Sequence, residues 1–119
     1  MSQPRSVAQF KTQAEIFKAL AHPGRLLIVD ELSRGERCVC ELAALLGVEM
    51  PTASRHLARL KHAGIVDDEK RGVQVFYRLR TPCVMSFFQC VAAVNRGVSA
   101  DQSSRLLDFF GWRLSDLAK

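Results

Sequence analysis

Pro51-Thr-Ala-Ser-Arg-His-Leu-Ala-Arg-Leu-Lys-His62 places Ala53, Leu57 and Leu60 at spacings of four and three, which puts them on one face of a helix. Pro51 suits the first turn of such a helix, where its missing N–H removes no hydrogen bond, and Gly64 stands where a left-handed cap would end it. Upstream, Val39–Leu46 reads as a shorter apolar helix stopped by Gly47, so two helices meet across a glycine turn. Downstream the period changes. Val73, Val75 and Tyr77 alternate with Gln74, Phe76 and Arg78, and Arg71-Gly72 supplies a turn, which predicts a β-hairpin over residues 65–70 and 73–79.

Toward the N-terminus, Val7, Phe10, Ala14, Phe17 and Leu20 or Ala21 recur at helical spacing, as one helix or a broken pair ending near His22-Pro23-Gly24. Pro23 can open a second helix, which Leu26, Leu27, Ile28, Val29 and Leu32 carry to Gly35 and whose composition predicts deep burial. Beyond Thr81-Pro82 the helical period returns in Val84, Phe87 or Phe88, Val91 and Val94. A last amphipathic helix over about residues 100–117 is expected from Leu106, Leu107, Phe110, Leu114 and Leu117, with a linker at Asn95 to Ser99. The expected fold is mainly α with a β-hairpin wing, a winged helix-turn-helix in a single domain over 1–119 with its core in 14–94.

The chain of 119 residues is 48% hydrophobic and 24% charged, the balance of one compact soluble domain, and it is too short for two separate cores. Multidomain catalytic machinery is excluded. The longest apolar stretch, Cys83 to Val94, is interrupted by Ser86 and Gln89, and the opening Met-Ser-Gln-Pro-Arg lacks a signal-peptide core. We therefore expect a cytoplasmic protein with no membrane partner, its four cysteines held as thiols.

Seventeen Lys and Arg against twelve Asp and Glu give a net charge of +5, and the excess is unevenly spread. No acid occurs from Met50 to Val66 or from Lys70 to Ala100, which favours a polyanionic partner. On the Pro51 helix, Thr52, Ser54, Arg55, His56 and Arg59 fall outside the apolar face. Arg55 is the candidate for a bidentate contact to guanine, Thr52 and Ser54 can donate to phosphates or bases, and Arg59 suits the backbone. Lys70, Arg71 and Gln74 belong near the wing tip. Taken alone, such residues describe any solvated helix; the order helix, glycine turn, helix and wing points to double-stranded DNA.

The chain resembles the ArsR/SmtB family of metal- and metalloid-responsive bacterial repressors. The matching stretches are Leu20-Ala-His-Pro-Gly-Arg-Leu-Leu-Ile28, Glu36-Arg-Cys-Val-Cys-Glu-Leu-Ala43, Ser54-Arg-His-Leu57 through Leu60-Lys-His-Ala-Gly-Ile65, and Arg71-Gly-Val-Gln-Val-Phe-Tyr-Arg-Leu79. The resemblance implies a winged-helix homodimer on operator DNA, paired through the helices before His22 and after Pro82. Glu49 departs from the family, which commonly has Ser there as helix cap. A carboxylate suits the helix dipole but would repel a nearby phosphate.

Cys38-Val-Cys40 lies at the entrance of the first helix of the pair, next to Arg37, and both the helix N–H groups and the guanidinium would favour thiolate. Residues two apart on a regular helix point roughly 200° from each other, so chelation by both needs extended or frayed backbone, and ligand binding is expected to compete with helix formation. Similar family members with this element sense arsenite or antimonite, or soft cations such as cadmium and lead. As(III) or Sb(III) is thus the expected inducer, Cd(II) or Pb(II) the alternative, with no organic cofactor. A redox or persulfide response is also open. The arsenic-responsive pattern has a third cysteine where this chain has Ala43, so the third sulfur must be Cys83 or Cys90, from either subunit. Cys83, after Pro82, has the stronger claim; Cys90, beside Val91, reads first as a buried small hydrophobe.

Two other readings lose ground. A zinc site on the dimerising helix needs His and acidic ligands, yet no His follows His62 and no acid lies between Glu69 and Asp101. A thiol enzyme needs an activated nucleophile with a base or resolving thiol, and neither Cys-x-x-Cys nor a Ser/His/Asp arrangement is present, so no catalysis is expected. A winged helix used only for protein contacts would show no salt-dependent DNA binding.

Overall fold

The computed structural model describes residues 5–95; the expected helix over about 100–117 and the linker before it lie outside them. A 3₁₀ turn at Val7–Phe10 leads into helix α1 (Lys11–Leu20), followed by α2 (Pro23–Leu32), strand β1 (Arg37–Cys38), α3 (Val39–Leu46), α4 (Met50–His62), strands β2 (Val66–Arg71) and β3 (Gln74–Leu79), and α5 (Val84–Asn95). The N-terminal helix is thus a broken pair. Pro23 and Pro51 sit in the first turns of α2 and α4, as the sequence predicts.

α3 and α4 form the helix-turn-helix. Gly47 ends α3 at φ 68°, a left-handed conformation costly for any residue with a Cβ, and the Val48 N–H then donates to the Ala43 carbonyl at 3.1 Å. Gly64 follows α4 at φ 81°, as expected. The apolar face of α4 is wholly inside: Ala53, Leu57 and Leu60 are fully buried against a core that includes Ile28 and Val29 of α2 and Leu42 of α3. α2 is less enclosed than its composition predicts, because Leu27 remains exposed.

The wing has one strand more than the hairpin read from the sequence. β3 is central, with β2 antiparallel on one side and β1 antiparallel on the other; Arg37 lies opposite Tyr77 and Cys38 opposite Phe76. A two-residue strand is too short to display a period of two, which is why it left no sequence signal. The turn also shifts by one residue. Arg71 and Gln74 are the closing pair, so Gly72 and Val73 form the loop, and Val73, expected on the same face as Val75 and Tyr77, is 98% exposed at the tip.

α1 and α5 meet through the rings of Phe17 and Phe87, edge to face with centroids 5.3 Å apart. Around them Phe10, Val91 and Val94 are exposed, an apolar face that the core of the described residues does not cover.

Candidate DNA interface and thiol pair

The candidate reading surface is the outer side of α4. Ser54, Arg55 and Arg59 are exposed there, and the Arg55 guanidinium donates to Thr52 Oγ1 at 3.2 Å, so a half-buried Thr52 orients the arginine from one turn earlier. Glu49 is the N-cap residue in extended backbone, but its carboxylate caps no α4 amide. Pro51 has no N–H, and the Thr52 and Ala53 N–H groups both donate to the Glu49 carbonyl at 3.1 Å, so this helix start offers an anion few donors and sets a carboxylate beside it.

His56 differs from the expectation. It is half-buried and packs on His22, ring centroids 4.5 Å apart, because its position on α4 faces the N-terminus of α2 instead of the open side. His22 is the N-cap of α2, its Nδ1 accepting the Gly24 N–H at 3.0 Å, a junction role that the sequence predicts. Burial first, then the charges of His22, Arg25 and Arg55, push His56 down to about 4. Folding thus holds His56 neutral, while an unfolded chain takes up the proton as pH falls through about 6.5. Stability is accordingly expected to drop between about pH 6.5 and pH 4 relative to His56→Gln, by about 1–2 kcal/mol after allowance for solvent screening. Urea midpoints for both chains across that range check this, and parallel curves would refute it.

Arg25 was not singled out by sequence. It lies half-buried in the first turn of α2, its Nε buried without a hydrogen-bond partner, and burial together with Arg59 lowers its pKa. Arg25 and Arg59 thereby add positive potential to the α2/α4 junction beside the reading helix. No local pattern marks Arg25, since the charge matters only once α2 and α4 cross.

At the wing, Lys70, Arg71 and Gln74 are exposed where the hairpin closes, as predicted. Arg71, however, is already engaged. Its Nη1 and Nη2 donate to Glu36 at 2.6 and 3.0 Å, and Nη2 donates to Glu69 at 2.9 Å. The guanidinium also lies over the Phe76 ring, 4.8 Å from its centroid.

The two sulfurs converge. Cys38 is the N-cap of α3 with extended backbone (φ −82°, ψ 162°), and its Sγ is 2.6 Å from that of Cys40. The opposed directions of a regular helix do not apply, because the first cysteine belongs to β1. The extended backbone that a shared ligand would need is thus present at Cys38 while α3 begins at Val39. Cys38 is buried and Cys40 exposed. The expected thiolate at Cys38 is also corrected: sharing a hydrogen bond with Cys40, and then burial, push its thiol up. The guanidinium invoked to lower it is turned to Glu31, with Arg37 Nε donating at 3.1 Å.

Cys83 immediately precedes α5 and Cys90 lies within it, both exposed in the single chain, so Cys90 is not the buried hydrophobe it resembles in sequence. Among the described residues no three His, Cys, Asp or Glu side chains gather to hold an ion. Neither Cys83 nor Cys90 of the same chain joins the Cys38/Cys40 pair.

Two helices across a glycine turn, a basic outer face and a three-stranded wing define a winged helix-turn-helix domain of the DNA-binding type, not an enzyme fold. Residues 22–68 match the family model described as bacterial regulatory protein, arsR family. The arsenic resistance transcriptional regulator ArsR1 of Pseudomonas putida is 37% identical over 105 residues, covering 87% of this chain and 78% of that protein. The biofilm growth-associated repressor of Agrobacterium fabrum is 47% identical over 66 residues, 56% of each chain. A solution structure from Mycobacterium bovis, described as a homodimeric winged helix-turn-helix DNA-binding domain of a possible ArsR-family regulator, superposes with a TM-score of 0.67 at 32% identity, covering 90% of this chain and 93% of that one. The chain belongs to the ArsR family of bacterial regulatory proteins. Its matches span about half the length of the first curated relatives. No helix among the described residues is long and apolar enough to cross a membrane.

Proposed function

We propose that this chain is a homodimeric transcriptional repressor that leaves its operator when Cys38 and Cys40 capture a thiophilic inducer, with trivalent arsenic or antimony as the first candidate. The observation that carries the reading is the convergence of Cys38 and Cys40 at one edge of the wing sheet. Two adjacent sulfurs select soft ions over hard ones. Because Cys38 pairs with Phe76 in β3, a guest that displaces Cys38 acts on the hairpin that flanks the reading helix. An inducer shifts the DNA equilibrium only by its difference in affinity for the two states, and this pairing supplies that difference.

The leftover apolar face on α1 and α5 supports the homodimer, and the exposed face of α4 with Lys70, Arg71 and Gln74 supports the DNA contact. A third sulfur for arsenic would come from Cys83 or Cys90 of the partner subunit, or from a small thiol in solution.

The experiment is a titration of the full chain, bound to a fluorescent duplex that the native protein has selected from a random pool, with arsenite, cadmium and a mild oxidant. Native protein is expected to release the duplex with arsenite, and the double variant Cys38→Ser/Cys40→Ser to bind but not respond. An equal response from both proteins removes the sensing assignment. Release by cadmium alone points to the soft-cation reading, and release by oxidant alone to a redox sensor.

A further inference from the structure

We propose that Glu36 competes with DNA for Arg71, its carboxylate occupying the guanidinium edge that a phosphate would take, so that the wing contact forms by exchange of one anion for the other. This rests on the reading of Arg71 as a wing contact. Both terminal nitrogens of Arg71 are spent: Nη1 and Nη2 on the two oxygens of Glu36, and Nη2 also on Glu69. Glu69 is shared with Arg78 at 3.6 Å, so Glu36 is the carboxylate that Arg71 alone holds in this cluster, and a phosphate takes the paired donors of Arg71 only when Glu36 withdraws.

The geometry separates the two acids. Glu69 lies on β2, two residues before Arg71 on the same strand, and moves with it. Glu36 comes from a different part of the chain, thirty-five residues away in sequence, and reaches across the sheet. A paired planar contact of this kind is the one by which arginine binds phosphate, so the acid and DNA ask for the same donors in the same arrangement. The side chains of Arg71 and Glu36 are 45% and 31% exposed, open enough for exchange without unpacking the core.

Glu36 also has a fixed place relative to the thiol pair. It directly precedes β1, and the register of β1 on β3 sets Cys38 opposite Phe76, the residue whose ring supports the Arg71 guanidinium. The hold of Glu36 on Arg71 is set by the same two-residue strand that carries the first sulfur.

The test compares the native full chain with Glu36→Gln, Arg71→Ala and the double variant on the selected duplex, by fluorescence anisotropy over a range of salt concentrations, with thermal midpoints to verify folding. Glu36→Gln is expected to bind about three- to tenfold more tightly at low salt, with a dependence of log K on log salt steeper by about one. The double variant should lose that gain. A gain that survives in the double variant is a general charge effect and overturns the proposal, as does weaker binding by Glu36→Gln. Native-like binding by Glu36→Gln with weakened binding by Arg71→Ala overturns it too, leaving the wing contact intact. If no variant changes binding, the placement of Arg71 on DNA fails as well.

Discussion

Leu57→Ala is expected to lower unfolding stability by about 3 kcal/mol, within the roughly 2–5 kcal/mol that removing a buried leucine side chain costs. Leu57 is fully buried on the inner face of α4, so its loss leaves a cavity where α4 meets α2 and α3, in addition to the lost transfer free energy. Total stabilities of single domains run to only about 5–15 kcal/mol, so a loss of this size is a large share. For a domain this small it corresponds to a drop of roughly 12–24 °C in melting temperature. Urea and thermal unfolding at one fixed protein concentration would measure it, since a dimer's apparent stability depends on concentration. Ser54→Ala, on the exposed side of the same helix, should change stability by under about half a kcal/mol. A cost below about 1 kcal/mol for Leu57→Ala would mean that α4 does not pack by this face.

Arg55→Ala should weaken binding to the selected duplex by about 1–3 kcal/mol, roughly five- to 150-fold, and relax discrimination at one base position. Thr52 holds one of the five guanidinium N–H donors of Arg55, so the exposed arginine is partly oriented before any contact with DNA. Arg59→Ala is the contrast, because an arginine on the backbone contributes to any sequence alike. Titrating both variants against the selected duplex and a scrambled one at constant salt separates the roles. Equal losses by Arg55→Ala on both duplexes would assign Arg55 to phosphate and take base reading away from it.

What could be read from the residues follows from how far each signal extends along the chain. α4 shows itself through Ala53, Leu57 and Leu60, because a helix thirteen residues long repeats its buried face several times and two residue types, Pro51 and Gly64, mark its ends. β1 is invisible for the opposite reason: two residues carry no period, and only β3 gives them an extended shape. The differences at Cys38 trace to that strand. Cys38 stands in sequence at the entrance of a helix, where nothing local fixes the extended backbone that lets its sulfur meet that of Cys40, and Arg37 counts as its neighbour in space because it is its neighbour in sequence. The same holds for His56 and Arg25, whose environments arise where α2 crosses α4, and for Glu36, whose partner Arg71 sits on another strand. Periodicity reports which side of an element is greasy. It does not report which element lies beside it.

The antiparallel hand-hold between Cys38 and Phe76 has a consequence for how such a regulator could change its diet. A lever answers to how far its short arm is pushed, and is indifferent to what does the pushing. On the sensing reading proposed above, any chemistry that moves Cys38, whether a heavy atom, a new bond between sulfurs or an added sulfur, acts on the hairpin through the same pairing with Phe76. Retuning the stimulus then requires edits only around the two thiols, and the machinery that touches the nucleic acid can stay as it is.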